Sequence, residues 1–93
     1  MTDGVGPVLE ASDGGRAVVE AIRADNTGVV VLDRGAYLRV LVPHRCILRR
    51  AAIERALGRP FAFPSDLELV MPAFQGNVTI TDDEVVWAWS SAG

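Results

Sequence analysis

Residues 29–43 read Val-Val-Val-Leu-Asp-Arg-Gly-Ala-Tyr-Leu-Arg-Val-Leu-Val-Pro. The first four residues are apolar and mostly β-branched, which favours a strand. Asp33-Arg34-Gly35 has the composition of a tight turn, and the chain then alternates over residues 36–42 until Pro43 ends the pattern. The alternation gives the second strand two faces, Leu38, Val40 and Val42 on one and Tyr37, Arg39 and Leu41 on the other. Because both faces carry apolar side chains, the stretch predicts a hairpin whose second strand is central and partly covered on both sides.

A helix is predicted upstream of this hairpin, at about residues 14–24. Ser12 or Asp13 is suited to its N-cap, and the turn signal of residues 25–28 ends it. Apolar side chains recur at helical spacing at Val18, Ala21 and Ile22.

The first residues are predicted to lie outside the folded domain. Residues 1–6 are short, polar or glycine, and we expect them to form a flexible tail. Residues 5–9 have an extended character, because the residue before Pro7 avoids helical backbone. Residues 7–93 are then one domain, and residues 5–9 are an additional strand at its start.

A second helix is predicted at about residues 48–57 from apolar residues four apart. Gly58 stands where a left-handed C-cap belongs, and Pro60 prevents the helix from continuing. The preceding Ile47-Leu48-Arg49-Arg50 contains no good N-cap, so the start of this helix is poorly defined.

A loop and a short strand are predicted to follow this helix. The loop covers residues 59–66 and places Phe61 and Phe63 under the sheet. Leu67 and Leu69 alternate, which predicts the start of a short strand. Residues 72–76 are predicted to be irregular.

The chain is predicted to close with a hairpin. Residues 78–80 and 85–89 form its strands, and residues 81–84 form its turn. Val85, Trp87 and Trp89 share one face.

The predicted element order is α-β-β-α-β-β-β, with an additional strand at residues 5–9. This order predicts an α+β fold, a two-layer sandwich with two helices on a mostly antiparallel sheet. The elements form two β-α-β-β-like units, as in ferredoxin-like folds.

Composition excludes several classes of function. Ninety-three residues make one small domain. The formal net charge of −3 argues against a nucleic-acid-binding protein, which needs a basic face. No stretch resembles a signal peptide or a membrane-spanning helix. We therefore expect a cytoplasmic protein that binds neither nucleic acid nor a membrane.

The chain contains few residues that could carry chemistry. His44 and Cys46 are its single histidine and its single cysteine, too few for a zinc site. They could pair as base and nucleophile if a strand placed them on one face. The glycines form no phosphate-binding loop. We expect no catalytic residues, no cofactor and no metal site.

Several segments follow one another in an order found in one family of small proteins. They are Val5-Gly6-Pro7-Val8-Leu9, Ala24-Asp25-Asn26, residues 33–40, Leu57-Gly58-Arg59-Pro60-Phe61, Leu67-Glu68-Leu69, Ala73-Phe74-Gln75-Gly76 and the closing hairpin. In this collinear set the chain resembles the effector, or coupling, proteins of bacterial multicomponent diiron monooxygenases. The toluene and alkene monooxygenase types are most similar, and phenol hydroxylase and methane monooxygenase are more distant.

The resemblance implies a cofactor-free protein that docks on the diiron hydroxylase component. Such a protein alters access to the active site and regiospecificity, and couples electron delivery from the ferredoxin and reductase components to substrate oxidation. The substrate pocket belongs to another chain, so this sequence does not identify the substrate.

Six residues are candidates for the docking surface. Arg34 and Arg39 suit bidentate contacts with a partner, and the Tyr37 hydroxyl needs a partner if it is buried. The family places the turn of Asn26 near the hydroxylase, and Gln75-Gly76 is a candidate point of close approach. We expect alanine at Asn26, Arg34 or Gln75 to weaken the complex without changing stability, because turn substitutions usually cost little.

Two other functions remain open at this stage. One is a ferredoxin-like, small-molecule-binding regulatory module of another enzyme, which would bind its ligand without a hydroxylase. The other is a small enzyme that uses His44 and Cys46, whose activity would be lost in His44→Ala.

Overall fold

The computed structural model of the protein describes residues 4–89. Seven strands and three helices occur within that range. In chain order they are β1 (Gly4–Glu10), α1 (Asp13–Asp25), β2 (Val30–Asp33), β3 (Tyr37–Pro43), β4 (Arg45–Arg49), α2 (Arg50–Leu57), α3 (Ser65–Val70), β5 (Ala73–Gln75), β6 (Asn77–Ile80) and β7 (Glu84–Ala88). The predicted α+β class is confirmed.

The strands form two antiparallel sheets, where the sequence had predicted one. The first sheet has the order β2-β3-β1-β5 and the second has the order β4-β7-β6. Each sheet contains one β-α-β-β unit, β1-α1-β2-β3 in the first and β4-α2-β6-β7 in the second. In both units the third strand lies between the other two, so the predicted duplication is present in the topology. In the chain, β5 lies between α3 and β6, within the sequence of the second unit. It nevertheless pairs with β1 of the first sheet and therefore joins the two units.

The helix boundaries follow from their caps. The Ser12 hydroxyl accepts a hydrogen bond of 3.2 Å from the Gly15 N–H and begins α1 as predicted. Gly58 ends α2 in the left-handed conformation, and its N–H donates to the Glu54 carbonyl over 2.8 Å.

One apolar core joins both units. α1 packs on α2 and β4, and the inward faces of both sheets contribute to the same cluster. Its largest fully buried side chains are Trp87, Leu9, Ile22, Leu48, Ile53 and Leu67. Phe61 is also buried and meets the partly buried Phe63 edge to face, with ring centroids 6.2 Å apart.

The structure corrects the start of the second helix. Residues 48 and 49 belong to β4, and α2 begins at Arg50. β4 was missed because its evidence is long-range: it pairs with β7 over five residues, and only Cys46 and Leu48 alternate inward.

The predicted strand at Leu67 and Leu69 is wrong, because these residues lie in α3. Positions two apart fall on different sides of a helix. Leu67 is accordingly buried, whereas Leu69 is 74% exposed. The Asp66 carboxylate, in the first turn of α3, accepts a 2.8 Å bond from the Ala62 N–H and holds the preceding loop against this helix.

Three smaller predictions also change. Residues 4–6 lie in β1 and are buried, rather than in a tail; residues 1–3 of that predicted tail lie outside the described residues. Residues 73–75 form β5 instead of irregular chain. In the closing hairpin Val85 and Trp87 are fully buried, but Trp89 follows the end of β7 and is 45% exposed.

None of the helices described within residues 4–89 is long and apolar enough to cross a membrane.

Candidate functional site

The first sheet has one face turned away from the helices. The inward residues of β1 and β3, such as Val5 and Val40, pack in the core with α1. Residues of the opposite parity point the other way, and strand register places them side by side. We call this surface the outer face; its members are Val8, Glu10, Val30, Leu32, Tyr37, Arg39 and Leu41.

The outer face is mostly apolar and accessible. Tyr37 is 48% exposed and Val30 is 47% exposed. Val8 and Leu32 are half-buried, and Leu41 is buried without belonging to the main core cluster. Apolar side chains that share one sheet face and remain partly accessible on a small domain are typical of a protein-binding surface.

Glycines in β1 allow its close approach to β3. A Cβ atom at Gly6 would lie 2.5 Å from the Val40 carbonyl oxygen, and Gly6 has a φ of +146°. A Cβ at Gly4 would lie 2.7 Å from the Leu41 Cβ. The two glycines of the Gly-Val-Gly sequence therefore allow β1 to pack closely against β3.

Arg39 is the cation of the outer face. Its Nη2 donates a hydrogen bond to the Gln75 Oε1 on β5. The Gln75 Nε2 in turn donates to the Gly4 carbonyl over 2.8 Å, which fixes the amide with its oxygen toward the arginine. The sequence singled out both residues, but their contact depends on β5, which the sequence did not predict.

Arg34 and Tyr37 lie next to one another at one end of this surface. Arg34 is exposed in the turn between β2 and β3, and its N–H donates to the Tyr37 carbonyl over 2.9 Å. The Asp33 carboxylate accepts from the Gly35 N–H over 2.8 Å and closes the turn. Tyr37 is exposed, so the condition under which its hydroxyl would need a partner inside the fold is not met.

Asn26 lies away from the outer face and has a structural role that the sequence did not indicate. Its Oδ1 accepts from the Ile47 N–H over 2.9 Å, and its Nδ2 donates to the Ile47 and Ile22 carbonyls over 2.8 and 2.7 Å. β4 is an edge strand. The Asn26 side chain therefore hydrogen-bonds to the backbone of β4 as a neighbouring strand would. It also links β4 to the end of α1.

Gly76 is a point of close approach inside the fold. It has a φ of +102°, and a Cβ there would lie 2.8 Å from the Val5 Cγ1. Glycine is suited to this combination of positive φ and close contact. Its role at a partner interface stays a prediction.

His44 and Cys46 do not share a strand face. His44 is exposed in a left-handed turn with a φ of 68°, whereas Cys46 is buried on β4. Burial raises the pKa of the Cys46 thiol from 9.0 to about 12. The thiol is therefore protonated at neutral pH and poorly suited to nucleophilic catalysis. Within residues 4–89 no group of three or more His, Cys, Asp and Glu side chains is arranged to hold a metal ion.

An α+β domain with an exposed apolar sheet face and a fixed arginine has the features of a protein-binding module. The chain belongs to the MmoB/DmpM family, whose model matches residues 3–88. The resemblance to effector components of multicomponent monooxygenases is thus confirmed.

Two relatives cover almost the whole chain. The effector subunit of the alkene monooxygenase system of Xanthobacter autotrophicus Py2 is 43% identical over 89 residues, 94% of this chain and 87% of that protein. The stimulatory component DmpM of phenol 2-monooxygenase from Pseudomonas sp. CF600 is 36% identical over 83 residues, 89% of this chain and 91% of that protein.

Solved structures of a phenol hydroxylase–regulatory protein complex contain similar chains. One is 26% identical with a TM-score of 0.82, and the match covers 92% of this chain and 98% of that chain. Another is 26% identical with a TM-score of 0.73, covering 88% of this chain and 94% of that chain.

Proposed function

We propose that this protein is the effector of a multicomponent diiron monooxygenase in the cytoplasm. It binds the hydroxylase component through the outer face and changes access of substrate and dioxygen to the diiron site. It thereby tunes regiospecificity and couples electron delivery from ferredoxin and reductase to hydroxylation or epoxidation. The observation that carries the proposal is family membership, with relatives named effector and stimulatory components over nearly the whole chain.

The arrangement of the surface supports a binding role. The outer face combines exposed Val30 and Tyr37 with Arg39 on one sheet. Apolar and aromatic groups with an arginine are typical of the central part of protein interfaces. The buried Cys46 thiol and the exposed His44 give no comparable support to an enzyme, and family membership favours an effector over a small-molecule-binding module.

A binding protein can change the rate of another enzyme only through differential affinity. The effector must bind the competent conformation of the hydroxylase more tightly than its resting conformation. If substrate binding or reduction at the diiron site also favours the competent conformation, linkage requires that it raise the affinity of the effector.

Reconstitution tests the proposal. The hydroxylase, ferredoxin and reductase of the host's own monooxygenase are assayed with increasing amounts of this protein. We expect product formation to rise to a plateau, and the product formed per reductant consumed to rise with it while peroxide falls. Unchanged turnover and coupling at an excess of the protein would refute the proposal. Arg55→Gln, an exposed change on α2, is the matched control and should act as wild type.

A further inference from the structure

We propose that Arg39 is the anchor of the outer face and binds a carboxylate supplied by the hydroxylase. The inference rests on the proposed function and assigns the chemistry of the partner at that surface. It starts from three observations: the neighbours of Arg39, the neutral group that holds it, and the absence of an acidic partner within residues 4–89.

The neighbours of Arg39 across the sheet are apolar. Strand register places Val8 of β1 on one side of it and Leu32 of β2 on the other. A partner seated on the outer face would cover these side chains and exclude water around the guanidinium. Residues that ring a contact in this way strengthen it mainly by removing solvent.

The group that holds Arg39 is uncharged. The Gln75 amide accepts from its Nη2 and is itself fixed by the bond to the Gly4 carbonyl. The guanidinium is therefore oriented by a neutral group, and no neighbouring carboxylate in the described part of the chain offsets its positive charge. Because the side chain is already ordered, less conformational entropy is lost when a partner binds.

Two of the nine arginines, Arg49 and Arg50, have carboxylate partners, and the other seven, Arg39 among them, form no ion pair within residues 4–89. Arg49 lies 3.8 Å from Asp25 and Arg50 lies 3.2 Å from Asp83. Within residues 4–89 no ion pair involves Arg39. Glu10, on the same face, is opposite Tyr37 in the register and does not pair with Arg39.

This arrangement specifies the chemistry of the partner. A cation that a partner covers without a counter-charge loses its hydration without compensation, so the surface that covers Arg39 must supply an anion. The planar fork of arginine matches the two oxygens of a carboxylate. An aspartate or glutamate of the hydroxylase fits this requirement.

The test is a binding titration against the host's hydroxylase, with the effector labelled and the affinity measured at low and at raised ionic strength. For Arg39→Gln we expect the dissociation constant to rise by about 10- to 100-fold, with a smaller dependence on salt. Arg39→Lys should recover the salt dependence but only part of the affinity, because a lysine lacks the fork. Arg55→Gln removes the same charge from α2 and should bind as wild type.

A second variant tests whether the group that holds Arg39 must be uncharged. Gln75→Glu keeps every arginine but places a carboxylate beside Arg39, so the internal ion pair should compete with the partner and weaken binding. Thermal melts of each variant show whether it is folded, and if Gln75→Glu is not, Arg39→Gln decides alone.

The outcomes separate the two proposals. If wild type binds and stimulates the hydroxylase while folded Arg39→Gln binds equally well, the anchor is refuted and the proposed function stands. If wild type neither binds nor stimulates, both are refuted.

Discussion

Asn26 is the residue whose role differs most from what its sequence position suggests. A polar residue in a turn is usually tolerant of substitution, yet this amide makes three hydrogen bonds to the backbones of Ile22 and Ile47. We expect Asn26→Ala to lower the free energy of unfolding by about 2 kcal/mol, because the backbone groups of Ile47 lose their partner in a half-buried site. The sequence predicts unchanged stability for this variant, and the three hydrogen bonds of Asn26 contradict that prediction.

Urea unfolding followed by circular dichroism measures this change. Arg34→Ala is the matched control, since its side chain is exposed in a turn, and it should cost less than about 0.5 kcal/mol. Equal stability of both variants would show that the Asn26 bridge contributes little. Gln75 also bonds to the fold through Gly4 and Arg39, so its alanine variant should lie between these two.

Cys46 gives a second prediction at the scale of one residue. Its pKa is about 12 in the folded protein and 9.0 as an ordinary value. Above pH 9 the unfolded chain loses this proton while the folded protein keeps it, so the thiol's contribution to stability is complete below pH 9 and falls as the pH rises toward 12.

Unfolding free energies of wild type and Cys46→Ala across this range test the prediction. The wild type should lose unfolding free energy relative to Cys46→Ala as the pH rises from 8 to 11. A difference that is independent of pH would show that the thiol ionises equally in both states. At pH 8 the folded protein should also react with a thiol reagent far more slowly than the urea-unfolded chain.

Among the elements, the junction of β5 and β6 depends on Gly76. Alanine there would place a Cβ against Val5 of β1 at a positive φ. We expect Gly76→Ala to cost about 1–3 kcal/mol. Gly35→Ala is the matched control, with a φ of +83° but nothing within 4 Å of the added atom, so it should show only the backbone cost of about 1 kcal/mol. Equal melting temperatures would show that contact with Val5 has no role.

Elements with local signals could be predicted from the sequence, and elements defined by distant contacts could not. α1, the β2–β3 hairpin and the end of α2 have caps, turns and periodicity within a few residues. β4 and β5 exist because of partners far away in the chain. The same holds for the site: alternation predicted the exposed side of β3, but the Arg39–Gln75 contact needed β5.

At the scale of the whole molecule, the two units act as one body. β5 pairs with β1 of the first unit, α1 packs on α2 and β4 of the second, and Asn26 bridges α1 and β4. A single core cluster contains residues of both units. The outer face is thus carried by a sheet whose position relative to α2 is fixed, and a partner seated there would meet a preformed surface.

The protein is proposed to bind its hydroxylase through the outer face. Hydrogen–deuterium exchange of the effector, alone and with an excess of the host's hydroxylase, tests it most directly. We expect slower exchange in residues 28–43, which carry most of the outer face, and in residues 73–76, which include the Gln75 that holds Arg39, with little change over residues 50–57 of α2. Protection centred on α2 with none at residues 28–43, or no protection at all, would contradict it.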